Sequence, residues 1–127
     1  MKVADVDVLV AAPVASHLHH PRAVAWLQAN TRFATCPLTE LGLIRVLMQL
    51  GATPSDADLA LDYIVRVHRA QLIPADLSAT AIGGLSLGHR QTTDLYLVEL
   101  ARAHQATLST FDRALCARFP QVTELVA

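Results

Sequence analysis

The sequence predicts an α/β fold with a mainly parallel sheet covered on both faces. Two observations carry this. Short apolar, β-prone runs recur along the chain, and segments with helical periodicity fill the intervals between them. Strands that alternate with helices form right-handed crossovers and stack helices on both sides of the sheet.

Taken in order, Lys2 to Asp5 reads as the first strand, and Val8 to Ala12 as a short helix capped by Asp7. Pro13 and the polar S-H-L-H-H loop follow. Pro21 suits the first turn of a helix running to about Asn30, with Ala23, Trp26 and Leu27 on one face. F-A-T-C is a second strand. Pro37 opens a helix whose Leu41, Ile44 and Met48 fall at helical spacing, and Gly51 stops it.

The next helix begins at Ser55 as N-cap and carries Leu59, Tyr63 and Val67. Q-L-I-P is a third strand, and D-L-S-A-T-A-I starts a helix ended by Gly83 and Gly84. Thr92 or Thr93 caps a helix through about His104, with Leu95, Val98 and Ala101 inward. A-T-L-S-T is the fourth strand, D-R-A-L-C-A-R a short helix, and V-T-E-L-V the last strand. Residues 1–127 read as one domain, without internal repeat, linker or low-complexity tract.

The composition narrows the function classes. Hydrophobic residues make up 53% and charged ones 17%, too apolar for a disordered chain. Every apolar stretch is interrupted before it reaches membrane-span length, and Asp5 and Asp7 stand where a signal peptide needs its apolar region. Cys36 and Cys116 read as free thiols, which places the expected setting in the cytoplasm. A net charge of −1 argues against a nucleic-acid partner until its distribution is considered. Setting aside Asp5, Asp7, Glu40, Asp94 and Asp112 leaves six acids against ten cations, nine of them Arg. An acidic pocket on an Arg-rich surface suits a metal-dependent enzyme acting on phosphodiesters.

The placement of the acids supports this. Asp5 ends a strand, Glu40 and Asp94 fall in first helical turns, and Asp112 follows the fourth strand. In parallel α/β sheets these positions share the rim where sites form. Hard oxygen donors on one rim suit Mg²⁺ or Mn²⁺, which can supply an activated water and stabilise charge on a phosphate.

Four motifs then carry a resemblance. D-V-D-V-L-V-A at 5–11, P-L-T-E-L-G-L-I-R-V-L at 37–47, G-H-R-Q-T-T-D-L-Y-L at 88–97 and L-S-T-F-D-R at 108–113 resemble the PIN domain, more narrowly the VapC-type ribonuclease toxins. The resemblance implies a three-layer α/β/α sandwich and an acidic quartet at Asp5, Glu40, Asp94 and Asp112. It also implies Mg²⁺ or Mn²⁺, RNA cleavage, homodimerisation and inhibition by a VapB-type antitoxin. Thr110 matches the Ser/Thr two residues before the last acid and would support that acid or a metal water. Asp7 stands where the family usually has Asn. It reads as a helix cap, with a supporting metal contact as the other role.

His89 and Arg90, ahead of Asp94, are candidates to contact RNA phosphates or to assist proton transfer, against a solvated helix entry. His17, His19 and His20 read as a polar loop rather than a zinc site, because no fourth ligand is evident. Arg45 reads as an ion-pair or rim cation, Cys36 as core and Trp26 as a helix anchor. Two rival functions remain. Asp5 and Asp7 also fit the opening Asp-x-Asp of a haloacid-dehalogenase-type phosphatase, but the sole lysine, Lys2, lies on the first strand and no late paired acids occur. A non-catalytic PIN-fold binding module would be expected to have lost acids, and all four are present.

Overall fold

The computed structural model of the chain describes residues 1–85 and 88–127. Five strands form one sheet: β1 (Lys2–Ala4), β2 (Ala34–Thr35), β3 (Gln71–Leu72), β4 (Thr107–Thr110) and β5 (Thr123–Leu125). Their order is β3-β2-β1-β4-β5, and every pairing is parallel. The helices are α1 (Val6–Ala11), α2 (His20–Ala29), α3 (Pro37–Gln49), α4 (Pro54–Val67), α5 (Thr92–Ala103) and α6 (Arg113–Arg118). Short 3₁₀ turns occupy Ala79–Ile82 and His89–Gln91.

The two faces of the sheet bury separate cores, as the two-residue period of a strand requires. Ala4 and Phe33 join Leu9, Trp26, Leu43, Leu47 and Ile64 beneath α1 to α4. Val3 and Ala34, their neighbours in sequence, join Leu97, Val98, Leu100, Leu108 and Leu115 on the other face, with α5 and α6. The three-layer α/β/α arrangement is therefore the observed one. Trp26 anchors its helix edge-on against Phe33 at 5.3 Å, and Cys36 is buried, as expected of both.

Chain order reverses at β1. From it the sheet grows to β2 and β3 on one side, and to β4 and β5 on the other. That switch point opens a crevice at the carboxyl ends of β1 and β4, the place where such sheets bind ligands.

Several expected details differ. The first helix is Val6–Ala11 rather than Val8 to Ala12, and its cap is Asp5, not Asp7. The Asp5 N–H completes the ladder to Ser109 O at 2.9 Å, its carbonyl accepts from Leu9 N at 3.1 Å, and its carboxylate accepts from Val6 N at 2.8 Å. One residue thus ends the strand and starts the helix, so no turn intervenes. Thr53, not Ser55, caps α4, with Pro54 taking the first helical position. The D-L-S-A-T-A-I segment forms only the 3₁₀ turn at Ala79–Ile82.

The inward faces of α3 and α4 also differ from the expected ones. Leu41, Met48, Leu59, Tyr63 and Val67 are exposed, whereas Thr39, Gly42, Leu43 and Leu47 of α3 and Ala57 and Ile64 of α4 are buried. Gly42 shows why α3 is turned this way. It faces α1 so closely that an added Cβ would lie 2.6 Å from Val6 Cγ2.

Candidate active site

Three elements bring carboxylates to the crevice. Asp5 follows β1, Asp94 lies in the first turn of α5, and Asp112 follows β4 as the cap of α6. With Asp7, Val6, Val10, Val46 and His17 they line a cavity of about 350 Å³. Each carboxylate has a local reason to be there, since helix N-termini stabilise negative charge. Asp112 accepts from Leu115 N at 3.0 Å through Oδ1, and Asp5 caps α1.

Their assembly works against their ionisation. Burial pushes Asp5 above the usual carboxylate range, and the nearby Asp112 charge adds to it, against the hydrogen bonds from Thr110 and Val6. Burial, then the charges of Asp5 and Asp112, raise Asp94 to about 6. Burial and the Asp5 charge raise Asp7 to about 7, although Phe111 N and Thr110 hydrogen-bond it. Like charges held together in a partly dry cleft favour a bound cation or a bound proton.

Thr110 joins the strand ends. Its Oγ1 lies 2.7 Å from Asp5 Oδ2 and 3.0 Å from Asp7 Oδ2, and accepts from Asp112 N at 3.1 Å. A hydroxyl has one proton to give and two lone pairs. It accepts from Asp112 N, and its one proton is shared between Asp5 Oδ2 and Asp7 Oδ2, both of which accept. Asp7 Oδ1 is buried without a hydrogen-bond partner among the described residues. Thr110 therefore supports the first acid, rather than only the last.

Glu40 stands one strand away. Its carboxylate accepts from Thr35 Oγ1 at 2.7 Å, and it is not among the residues lining the cavity. His89 and Arg90 are exposed in the 3₁₀ turn before α5 and do not line it either. Arg45 is exposed and makes no ion pair among the described residues. Two residues outside the expected set adjoin the acids. His17 lines the acidic cavity, and Arg118 lines a neighbouring one of about 250 Å³ that shares Asp94 and Asp112. Arg118 Nη2 donates to Leu85 O at 2.6 Å, and its guanidinium lies over the Phe119 ring. Nothing in the sequence singled out Arg118 on its helix or His17 from its loop.

The donor set fits Mg²⁺ or Mn²⁺. Among the described residues no three His, Cys, Asp or Glu side chains are gathered closely enough to hold an ion by themselves. Mg²⁺ does not require that, since it takes one or two carboxylates and keeps several waters or phosphate oxygens. The Asp94 carboxylate, raised to about 6 by burial and by the Asp5 and Asp112 charges, makes no side-chain hydrogen bond to a described residue and so has oxygens free to meet a cation.

Known proteins give the same direction. Ribonuclease VapC29 of Mycobacterium tuberculosis (strain CDC 1551 / Oshkosh) is 38% identical over 125 residues, covering 96% of this chain and 93% of that protein. Ribonuclease VapC38 of M. tuberculosis (strain ATCC 25618 / H37Rv) is 38% identical over 120 residues, covering 88% and 85%. Ribonuclease VapC44 of the CDC 1551 / Oshkosh strain is 31% identical over 121 residues. No family model matches the chain. Among solved structures, a chain of FitAB bound to an IR36 DNA fragment superposes with a TM-score of 0.68 at 16% identity, covering 98% of this chain and 94% of that one. That last likeness is one of fold.

Proposed function

The chain belongs to the VapC family of ribonucleases, and from that premise we propose that residues 1–127 form one PIN-type domain acting as a metal-dependent endoribonuclease toxin. One observation carries the site assignment: Asp5, Asp94 and Asp112, drawn from three elements, share one cavity at the sheet's switch point.

Metal dependence is typical of the family, and we assign Mg²⁺ or Mn²⁺ from the oxygen donors. The bound ion supplies a nucleophilic water at neutral pH and offsets charge on the phosphate. Asp94 would hold it directly, and Asp5 and Asp112 would complete its shell in part through bound waters. Asp5 is fixed on both oxygens, by Val6 N and by Thr110, so its orientation does not depend on the ligand. Asp112 is braced by Leu115 N on one oxygen, Oδ1. Asp7 positions Thr110 and the Phe111 backbone rather than binding metal. Glu40, in the first turn of α3, contributes from the adjacent strand end through the solvent shell. Hydrolysis places a water oxygen on phosphorus and releases the 3′ oxygen of the upstream nucleotide. His89 and Arg90 stay assigned to RNA phosphates outside the cavity.

A VapB-type antitoxin and a second copy of the chain are the proposed partners. In support, the exposed apolar side chains of α3 and α4 leave surface for association. No helix of the described residues is long and apolar enough to cross a membrane. An RNA substrate and two free cysteines support a cytoplasmic setting.

The phosphatase alternative is outweighed because Lys2 Nζ is bound to Glu124 at 2.7 Å. The non-catalytic alternative is outweighed by the clustered acids. The deciding experiment is cleavage of RNA by wild type with Mg²⁺, Mn²⁺ or EDTA, beside Asp5→Asn and Asp94→Asn. Cleavage that persists in both variants would sink the assignment.

A further inference from the structure

Among the described residues lining the acidic cavity, His17 is the one that brings a side-chain nitrogen donor. The others that carry polar side chains are carboxylates, which repel an incoming phosphodiester in the absence of a cation.

The protonation of the His17 ring follows from its partners. Nδ1 accepts the backbone N–H of His19 at 3.0 Å. A ring nitrogen that accepts carries no proton, so the neutral ring has its proton on Nε2. Nε2 makes no hydrogen bond to a described residue. In this tautomer it neither ligates a cation nor takes up a proton; it donates.

The loop holding His17 is braced on three sides. His19 stacks on Phe111 with ring centroids 4.4 Å apart and planes 19° from parallel. Nδ1 of His19 lies 3.1 Å from Arg22 Nη1, and because guanidinium only donates, this nitrogen also accepts. His20 Nδ1 lies 2.9 Å from Ala11 O, and because a carbonyl only accepts, that nitrogen donates. Phe111 in turn gives its N–H to Asp7. The His17 ring is thereby fixed relative to the acids rather than carried on a free loop.

We propose that His17 is a substrate-contacting residue, donating its Nε2–H to a non-bridging oxygen of the RNA phosphate that enters the acidic cavity. This rests on the ribonuclease reading. The neutral donor receives the phosphate without competing with the carboxylates for the cation.

The test compares wild type with His17→Ala, His17→Gln and His17→Asn on total cellular RNA with Mn²⁺. Gln can carry an amide N–H to the place of Nε2, whereas Asn reaches only the place of Nδ1 and can brace the loop alone. His17→Ala should lose about 10- to 100-fold in kcat/KM, the range of a hydrogen bond to a charged group. His17→Gln should recover most of it and His17→Asn should not. In an Asp94→Asn background, a fluorescein-labelled RNA oligonucleotide should bind about 10-fold more weakly once His17 is also replaced by Ala. Mn²⁺ affinity should be the same in wild type and His17→Ala.

Recovery by Asn equal to that by Gln would reduce His17 to a loop brace and overturn the proposal. Wild-type cleavage and RNA affinity in His17→Ala would overturn it too, as would loss of Mn²⁺ affinity. If wild type itself cleaves no RNA, the ribonuclease reading fails and this proposal with it; if wild type cleaves and the His17 variants match it, only the proposal fails.

Discussion

Thr110 Oγ1 lies 2.7 Å from Asp5 Oδ2, a hydrogen bond between residues 105 positions apart that ties the end of β4 to the end of β1. Removing it leaves a buried carboxylate oxygen without a donor, at a cost of about 1 to 3 kcal/mol. Thr110→Val, nearly the same shape, should lower the thermal midpoint by several degrees and reduce RNA cleavage. Thr110→Ser keeps the hydroxyl and should stay near wild type in both. Equal melting of the Val and Ser variants would show that the hydroxyl does not hold Asp5.

Asp94 illustrates a site kept at the expense of stability. Asp94→Asn removes the proposed metal donor and should cost about 100-fold or more in cleavage rate, equivalent to about 3 kcal/mol of transition-state stabilisation. The same variant relieves repulsion from Asp5 and Asp112. In EDTA at pH 7.5 it should therefore melt above wild type, read by circular dichroism. A lower midpoint would show that the acids are not in electrostatic conflict.

The same conflict fixes a pH dependence. Asp7 and Asp94 titrate at about 7 and about 6 in the folded protein, above their ordinary value. Without metal the folded state then binds more protons than the unfolded chain between about pH 4 and pH 7, so stability falls as pH rises through that window. For Asp7 the loss is about 2 to 4 kcal/mol; Asp94, half open to solvent, adds less. Asp76, held below its ordinary value by its hydrogen bond from His104, works oppositely only at lower pH. Glu124 behaves likewise, because bonds from Lys2 and Ser109 outweigh its burial. Thermal melts in EDTA should give a higher midpoint at pH 5 than at pH 7.5, with Mg²⁺ or Mn²⁺ restoring the latter. A midpoint that rises between those pH values would contradict the assignment.

Asp7→Asn separates positioning from metal binding. The amide carbonyl, placed where Oδ2 stands, can still accept from Phe111 N and Thr110, without a charge to repel Asp5. The variant should retain cleavage within about threefold and lose most of the slope between pH 6 and pH 8 in EDTA. A 100-fold loss of activity would make Asp7 a metal ligand instead.

Gly42 admits no side chain at the α1–α3 contact. Ala is favoured over Gly within a helix by about 1 kcal/mol, yet its methyl would meet Val6 Cγ2 at 2.6 Å. Overpacking of that kind costs typically about 1 to 3 kcal/mol. Gly42→Ala should melt below wild type, and Gly42→Ala with Val6→Ala should recover part of the loss. A more stable single variant would show that α3 moves aside freely.

Much of this molecule is legible in its sequence because alternating strands and helices dictate the crossovers, and carboxylates at strand ends dictate the rim. Asp5, Asp94 and Asp112 meet there for that reason. The faces of α3 and α4 are less legible because these helices carry apolar residues on more than one side. Periodicity offers Leu41 with Met48, and also Leu43 with Leu47; only the approach of Gly42 to Val6 selects the second. Asp5 and Asp7 both suit a helix start, and the choice depends on where the ladder to Ser109 ends. The role of Thr110 depends on which hydroxyl proton goes where, and His17 on how a loop folds back. Neither has a local pattern to read.

The parallel pairing of β1 with β4 has a consequence for synthesis. Lys2 to Ala4 pair with Thr107 to Ser109, so the central strand meets its second neighbour only after about a hundred intervening residues have been made. Contacts of such long sequence separation form late and slowly. Asp5 leaves the ribosome well before Thr110, 105 positions on, and Asp112, which complete its surroundings. A nascent chain therefore carries no assembled acidic crevice until the fourth strand has left the ribosome.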